Sequence, residues 1–360
     1  FAAAGTKHMT IEDSLAIKSI GSPQWSPDGK WGAYTLSEWD KENDKRVSHI
    51  YLAPASGGPS VKLTNGEKGE TAPKWSPDGT WISFLADRDK GNQIWLIAPT
   101  GGEADKLTKE DEGAGAYRWS PDSKRIATFQ QDQRHVSTMY LVKTKVGAPE
   151  LQQWKYPLPG DSDIIRIHRV IIDVAGDPRI VRLNMASDAR RGTLCDDISC
   201  EGGFDDVEWS EDGKHLVFVS TSRDHKQENV RIADCATGDV KDIFEEKVPT
   251  QYESGRGAIN WKYLSKSNEI IWYSERSDWG HLYLYDALTG TVKNQITSGE
   301  WVVLDVLKVD EEHRVIYFTG SGKEKGVNPY HRSMYRVDFS GDHLSLLTPA
   351  AGHHSVQLSP

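Results

Sequence analysis

Trp25-Ser26-Pro27-Asp28-Gly29 returns as Trp75-Ser76-Pro77-Asp78-Gly79, and in altered form as Trp119-Ser120-Pro121-Asp122-Ser123 and Trp209-Ser210-Glu211-Asp212-Gly213. Serine opens a type I turn, proline presets φ at the second position, aspartate suits the third and glycine the fourth, so each copy reads as a hairpin corner. An alternating segment follows each of the first two corners, Trp31-Gly32-Ala33-Tyr34-Thr35-Leu36 and Trp81-Ile82-Ser83-Phe84-Leu85. A second strand comes next, Ile50-Tyr51-Leu52-Ala53-Pro54 or Ile94-Trp95-Leu96-Ile97-Ala98, and then a glycine turn. A short edge strand ending Lys62-Leu63-Thr64 or Lys106-Leu107-Thr108 completes a unit of four strands.

The spacing of these units sets the fold class. Trp25 to Trp75 is 50 residues, Trp75 to Trp119 is 44, Trp119 to Trp209 is 90 and Trp209 to Trp261 is 52. Periods of this size with several short strands each predict an all-β chain built as a β-propeller. Beyond Trp261 the corner motif fades, but strands continue at Glu269–Tyr273, Leu282–Tyr285, Arg314–Phe318 and Met334–Asp338. Residues 119 to 205 hold either one long blade or two, which gives seven or eight four-stranded blades with the last incomplete in this chain. Ser355-Val356-Gln357-Leu358-Ser359-Pro360 reads as the strand entering a further corner, so the chain is expected to be a piece of a longer polypeptide. The organisation predicted is an N-terminal segment over 1–21 with a short helix, then the propeller over 22–360.

Composition narrows the function. A formal net charge of −10 and a pI near 5.7 disfavour a nucleic-acid partner, whose phosphates such a surface repels. Mean hydropathy is −0.60 and no apolar run approaches the roughly 18 to 20 residues of a membrane span. Cys195, Cys200 and Cys235 have no ligand histidine near them, so neither a metal nor a cofactor is expected. Cys195 and Cys200 either pair in an oxidising compartment or stay free. Phe1-Ala2-Ala3-Ala4-Gly5 has the small residues that flank a signal-peptidase site, which points to a periplasmic or secreted location, with a cytoplasmic one as the alternative.

Several stretches stand outside the repeat. Thr10-Ile11-Glu12-Asp13 has the pattern of a helix cap, with Leu15, Ile17 and Ile20 before a stop at Gly21. Residues 41 to 48 are a charged hairpin tip, and residues 109 to 116 an acidic, glycine-rich loop. Pro149, Pro157, Pro159 and Gly160 break the repeat over 148–162 and mark an arm or long loop.

Catalytic motifs are missing from the chain. The Gly-x-Ser-x-Gly elbow of an α/β-hydrolase is absent, and Gly320-Ser321-Gly322 lacks its spacing. No His-Glu-x-x-His, phosphate-cradling glycine loop or dinucleotide fingerprint occurs, and Ser76–Trp81 lacks the spacing of a sialidase Asp-box. Two binding candidates remain. Glu110 and Glu112, in Glu110-Asp111-Glu112, stand just before a blade's first strand, where paired carboxylates hold an ammonium group by charge-assisted hydrogen bonds. Arg256, in Tyr252-Glu253-Ser254-Gly255-Arg256-Gly257, takes the comparable position before Trp261 and suits a carbonyl or carboxylate. A solvated loop is the alternative reading of both.

A longer resemblance joins these stretches. Glu275-Arg276-Ser277-Asp278-Trp279-Gly280-His281-Leu282-Tyr283-Leu284-Tyr285-Asp286, continuing through Gln295-Ile296-Thr297-Ser298-Gly299-Glu300-Trp301, resembles the N-terminal propeller of the prolyl oligopeptidase family, most closely its dipeptidyl peptidase IV branch. Tyr156-Pro157-Leu158-Pro159-Gly160-Asp161 is similar to the proline-rich turn that ends an extended arm in that branch, and Asn328-Pro329-Tyr330 and His354–Pro360 fit it as well.

The resemblance implies that the chain caps a C-terminal α/β-hydrolase domain of the same polypeptide, which carries a Ser-Asp-His triad. This chain then holds no catalytic residue of its own, and its partners are that domain and a peptide substrate, with a homodimer of the full-length protein also implied. By position Glu110 and Glu112 resemble the two glutamates that take the free amino terminus in that branch. Gly113-Ala114-Gly115 follows them here, where the branch has large apolar residues. The function expected is a substrate-gating, peptide-terminus-recognising propeller of a serine exopeptidase or oligopeptidase. The alternative is a TolB-like propeller acting as a protein-interaction scaffold.

Overall fold

Each corner closes by the same set of bonds. In a computed structural model of the chain, which describes residues 8–89, 91–111, 113–176, 178–190, 204, 206–252, 260–349 and 351–358, the Ser26 hydroxyl donates to Asp28 Oδ1 at 2.7 Å and accepts the Trp31 N–H at 2.9 Å. Asp28 Oδ1 also accepts the Lys30 N–H, and Gly29 takes φ +67°. Ser76, Ser120 and Ser210 repeat the arrangement with Asp78, Asp122 and Asp212. The left-handed fourth position falls on Gly79, Ser123 and Gly213. Serine and aspartate are needed because their side chains satisfy main-chain N–H groups that the tight turn leaves unpaired.

The strands between corners form antiparallel sheets in chain order. Blade one is Ser19–Trp25, Trp31–Asp40, Lys45–Pro54 and Val61–Lys62; blade two is Glu70–Trp75, Ile82–Ala86, Gln93–Ile97 and Asp105–Lys106. Blade three orders Ile180–Arg182, Arg166–Asp173, Arg125–Asp132 and Arg118–Trp119, with Asp188–Ala189 paired to Arg166–Asp173. Blade four is Val207–Trp209, His215–Thr221, Gln227–Asp234 and Val240–Lys247. Blade five is Trp261–Leu264, Glu269–Ser274, His281–Asp286 and Val292–Gln295, and blade six is Val302–Asp310, Val315–Ser321, Arg332–Asp338 and Ser345–Leu346. This is a β-propeller architecture. Among the described residues no helix is long and apolar enough to cross a membrane.

Three expectations are sharpened by the coordinates. Among the described residues of 119 to 205 there is one blade sheet, and Thr138–Lys143 and Glu150–Lys155 fold on each other as a two-stranded ribbon that joins no blade. The helix is Ile11–Leu15, capped by Thr10 and Asp13 as its sequence predicts, but Ile20 and Gly21 belong to the first strand. Trp261 opens its strand, whereas Trp25, Trp75, Trp119 and Trp209 close theirs. By ladder register the equivalent in blade five is Tyr263, which pairs Ile270 seven residues on as Trp25 pairs Gly32 and Trp209 pairs Leu216.

The chain divides into two compact units, residues 1–126 with 172–179, and residues 127–171 with 180–360. In the first, Ala33, Ile50 and Leu52 of blade one share a core with Ile82, Phe84 and Ala86 of blade two. In the second, strand Glu269–Ser274 is buried along its whole length and serves two cores by its period of two. Ile270 and Trp272 pack with Val217, Val219 and Val230 of blade four. Ile271 and Tyr273 pack with Ile316, Phe318 and Tyr335 of blade six. Successive first strands are also tied by polar bonds: Lys74 Nζ donates to the Tyr117 carbonyl, and Lys262 Nζ to Glu208, each at 2.7 Å.

Candidate substrate-binding loop

An edge strand of two residues cannot complete a ladder, and a threonine hydroxyl extends it. Thr108, just after Asp105–Lys106, accepts the Ile94 N–H at 2.9 Å. Thr64 does the same for Ile50 at 3.0 Å, Thr297 for Leu282 at 3.0 Å and Thr348 for Met334 at 3.1 Å. The Lys-Leu-Thr ending read from the sequence is thus a seal that lets the following loop leave the sheet without orphaning a buried amide.

Beyond Thr108 the loop carries the first predicted site residue. Gln93 opens the third strand of blade two and is 2% exposed. Its Oε1 accepts the Thr108 hydroxyl at 2.7 Å and the Glu110 N–H at 3.1 Å, while its Nε2 donates to the Glu110 carbonyl at 2.6 Å. One buried amide therefore holds both main-chain groups of Glu110. The loop returns through Gly113 at φ +86°, where an added Cβ would meet the Asn92 carbonyl oxygen at 2.8 Å, and Ala114 N–H donates to that same carbonyl at 2.5 Å. Gly113 is required there both by its left-handed backbone and by this contact. Glu110 itself is half-buried and Asp111 exposed.

Of the other predicted positions, Glu112 and Arg256 lie outside the described residues, as do Cys195 and Cys200. Cys235 is buried. Among the described residues no group of three His, Cys, Asp or Glu side chains is arranged to hold a metal ion.

The position of Gln93 is reused in other blades with different chemistry. His281 precedes Leu282 as Gln93 precedes Ile94; its Nδ1 bonds Thr297 Oγ1 at 3.0 Å and its Nε2 bonds the Gly299 carbonyl at 2.9 Å. Burial holds the His281 imidazole below its ordinary 6.5, with the Gly299 carbonyl acting the other way. In blade one His49 stands at this place and meets the fully buried Glu70 carboxylate at 2.9 Å.

A second polar cluster surrounds the stretch that carries the family resemblance. Arg276 Nη2 contacts Glu246 Oε2 at 2.7 Å, and its guanidinium lies 4.6 Å from the Tyr283 ring centroid. Glu246 is 7% exposed and also accepts the Trp272 indole N–H at 2.7 Å and the Ser274 hydroxyl. Burial works against the Arg276 charge, but Glu246 and the Tyr285 hydroxyl together outweigh it, so its pKa lies above the ordinary range. Gly280 is compulsory because a Cβ there would overlap the Tyr273 hydroxyl. The sequence reading singled out this stretch without giving Arg276 a role; an arginine in a turn and a glutamate in a distant edge strand show no spacing that links them.

Comparison with known proteins follows the same lines. The family model described as the dipeptidyl peptidase IV N-terminal region matches residues 48–360. An uncharacterized peptidase of Bacillus subtilis (strain 168), YuxL, is 35% identical over 83 residues, 23% of this chain and 13% of the relative. Dipeptidyl peptidase 4 of Arthroderma otae is 39% identical over 66 residues, 18% of this chain and 8% of the relative. The crystal structure of Porphyromonas gingivalis dipeptidyl peptidase 4 superposes with a TM-score of 0.71 at 18% identity, over 92% of this chain and 46% of that one. A putative dipeptidyl aminopeptidase IV from Bacteroides ovatus ATCC 8483 gives a TM-score of 0.63 at 17% identity, over 86% and 43% of the two chains. The chain thus spans less than half the length of these structures and a smaller share of the curated relatives.

Proposed function

Because the chain belongs to the family of dipeptidyl peptidase IV N-terminal regions, we propose that it is the substrate-gating and peptide-terminus-recognising propeller of a serine exopeptidase or oligopeptidase. The observation that carries this reading is the match over residues 48–360, which includes five blades and the Glu110 loop. In this reading a C-terminal α/β-hydrolase domain of the same polypeptide supplies the Ser-Asp-His triad and the propeller admits peptides. Glu110 and Glu112 receive the substrate ammonium group, whose charge-assisted bonds are stronger than neutral ones. Arg256 takes a substrate carbonyl.

The test uses the full-length product of the gene and dipeptide amides with a free or an acylated amino terminus. Hydrolysis of the free-amine substrates, abolished by a serine-directed fluorophosphonate, is the result expected. Replacing Glu110 and Glu112 by Gln raises KM for free-amine substrates and spares the acylated ones. Equal effects on both substrates reject the assignment of the glutamates. A gene that ends without a Gly-x-Ser-x-Gly segment rejects the peptidase reading and favours a scaffold.

A further inference from the structure

We propose that Gln93 is a positioning residue for Glu110: its buried amide fixes the main chain from which the carboxylate projects toward an ammonium group. The proposal rests on the reading of Glu110 given above. Glu110 sits in a loop, and a loop carboxylate sweeps a wide volume unless its backbone is held. Gln93 supplies that restraint from a strand, the stiffer element, through one donor and one acceptor directed at the same residue. The Thr108 hydroxyl occupies the remaining lone pair of Oε1, which fixes the amide plane and makes the clamp part of the blade's seal.

The other blades show that closing the sheet does not itself demand glutamine. At the equivalent register His281 bonds its threonine and one carbonyl, that of Gly299, two residues past Thr297 as Glu110 is two past Thr108. His49 turns to a buried acid instead. Imidazole has two nitrogens, so after bonding the threonine it has one bond left for the loop. The glutamine amide, with a two-lone-pair oxygen and an NH₂, reaches threonine, N–H and carbonyl together. The one blade that presents a predicted ligand-binding glutamate at this place is the one with the side chain able to grip it twice.

The experiment measures kinetics of the full-length gene product with free-amine and N-acylated dipeptide amides. Gln93→Met, of similar length and without hydrogen-bonding nitrogen or oxygen, raises KM for the free-amine substrate about tenfold and leaves kcat and the acylated substrate within about twofold. Gln93→His, which keeps the threonine and carbonyl bonds in the manner of His281, recovers most of that selectivity. A Gln93→Met protein with wild-type KM for free amines overturns the proposal, as does an equal change on both substrates. If Gln93→Met does not fold, Gln93→Asn carries the same test, since it keeps the uncharged amide but is one methylene too short to reach Thr108 and both main-chain groups of Glu110 together. Glu110→Gln assayed alongside separates the two ideas: no selective effect there rejects the amine reading, whereas a selective effect there with none from Gln93 rejects only the positioning role.

Discussion

His281 shows how far one side chain's chemistry is set by the register it occupies. It is 1% exposed and bonded at both nitrogens, and burial keeps its pKa below 6.5. A histidine whose folded pKa is depressed contributes stability that is present above its unfolded pKa and is lost as pH falls below it, because the unfolded state binds the proton more readily. Stability of the chain should therefore fall as pH drops from 6.5 toward 5. His281→Gln, placing in blade five the residue that blade two uses at Gln93, should keep stability at pH 7.5 and flatten that decline. Urea denaturation across this pH range is the measurement, and an unchanged slope would count against the depressed imidazole.

Among the elements, the corners were the most legible part of the sequence, and the structure explains why. A type I turn closed by Ser and Asp has few alternatives, so the motif fixes both turn and phase. The same strictness misplaces blade five's corner, where Tyr263 takes the register place of the tryptophan and Trp261, two residues earlier, misleads. The ribbon was legible only as a break, because Tyr140, Leu141, Val142 and Leu151 are as apolar as the residues of a blade strand yet stay exposed. Limited trypsin digestion should cut at its tip, at Lys143 or Lys145, while Lys241 and Lys293 within blade strands stay intact; mass spectrometry of the first fragments checks this.

The Glu246–Arg276 pair joins blade four's edge strand to blade five's hairpin and was invisible to spacing. Arg276→Met leaves a buried carboxylate without its cation and should destabilise the chain by about 3 kcal/mol, the lower end for such pairs because Arg276 is 33% exposed. Adding Glu246→Gln should recover part of that loss. Chemical denaturation of both variants decides it, and simple additivity would show that the two side chains are not coupled.

At the scale of the whole molecule, the family was legible from local stretches and the site only in part. Glu110 stands out as a candidate because acids before a strand are conspicuous, whereas the amide that bonds its main chain does not, since Gln93 is one polar residue at the start of an apolar strand and Glu110 lies 17 residues away. If the chain acts as a gate, the 360 residues alone should hydrolyse no dipeptide amide while the full-length gene product does. Turnover that stays with the purified shorter chain, by co-elution on size exclusion, would overturn the division of labour.

The threonine seal has a consequence for how such a scaffold changes over time. Because Thr64, Thr108, Thr297 and Thr348 close their ladders before the chain leaves the sheet, whatever follows is mechanically downstream of the fold. Insertions, deletions and wholesale rewriting after the threonine leave the blade's seams intact. The loops behind these residues are therefore natural grafting sites, where a new specificity can be tried by drift or by design without renegotiating the architecture that presents it.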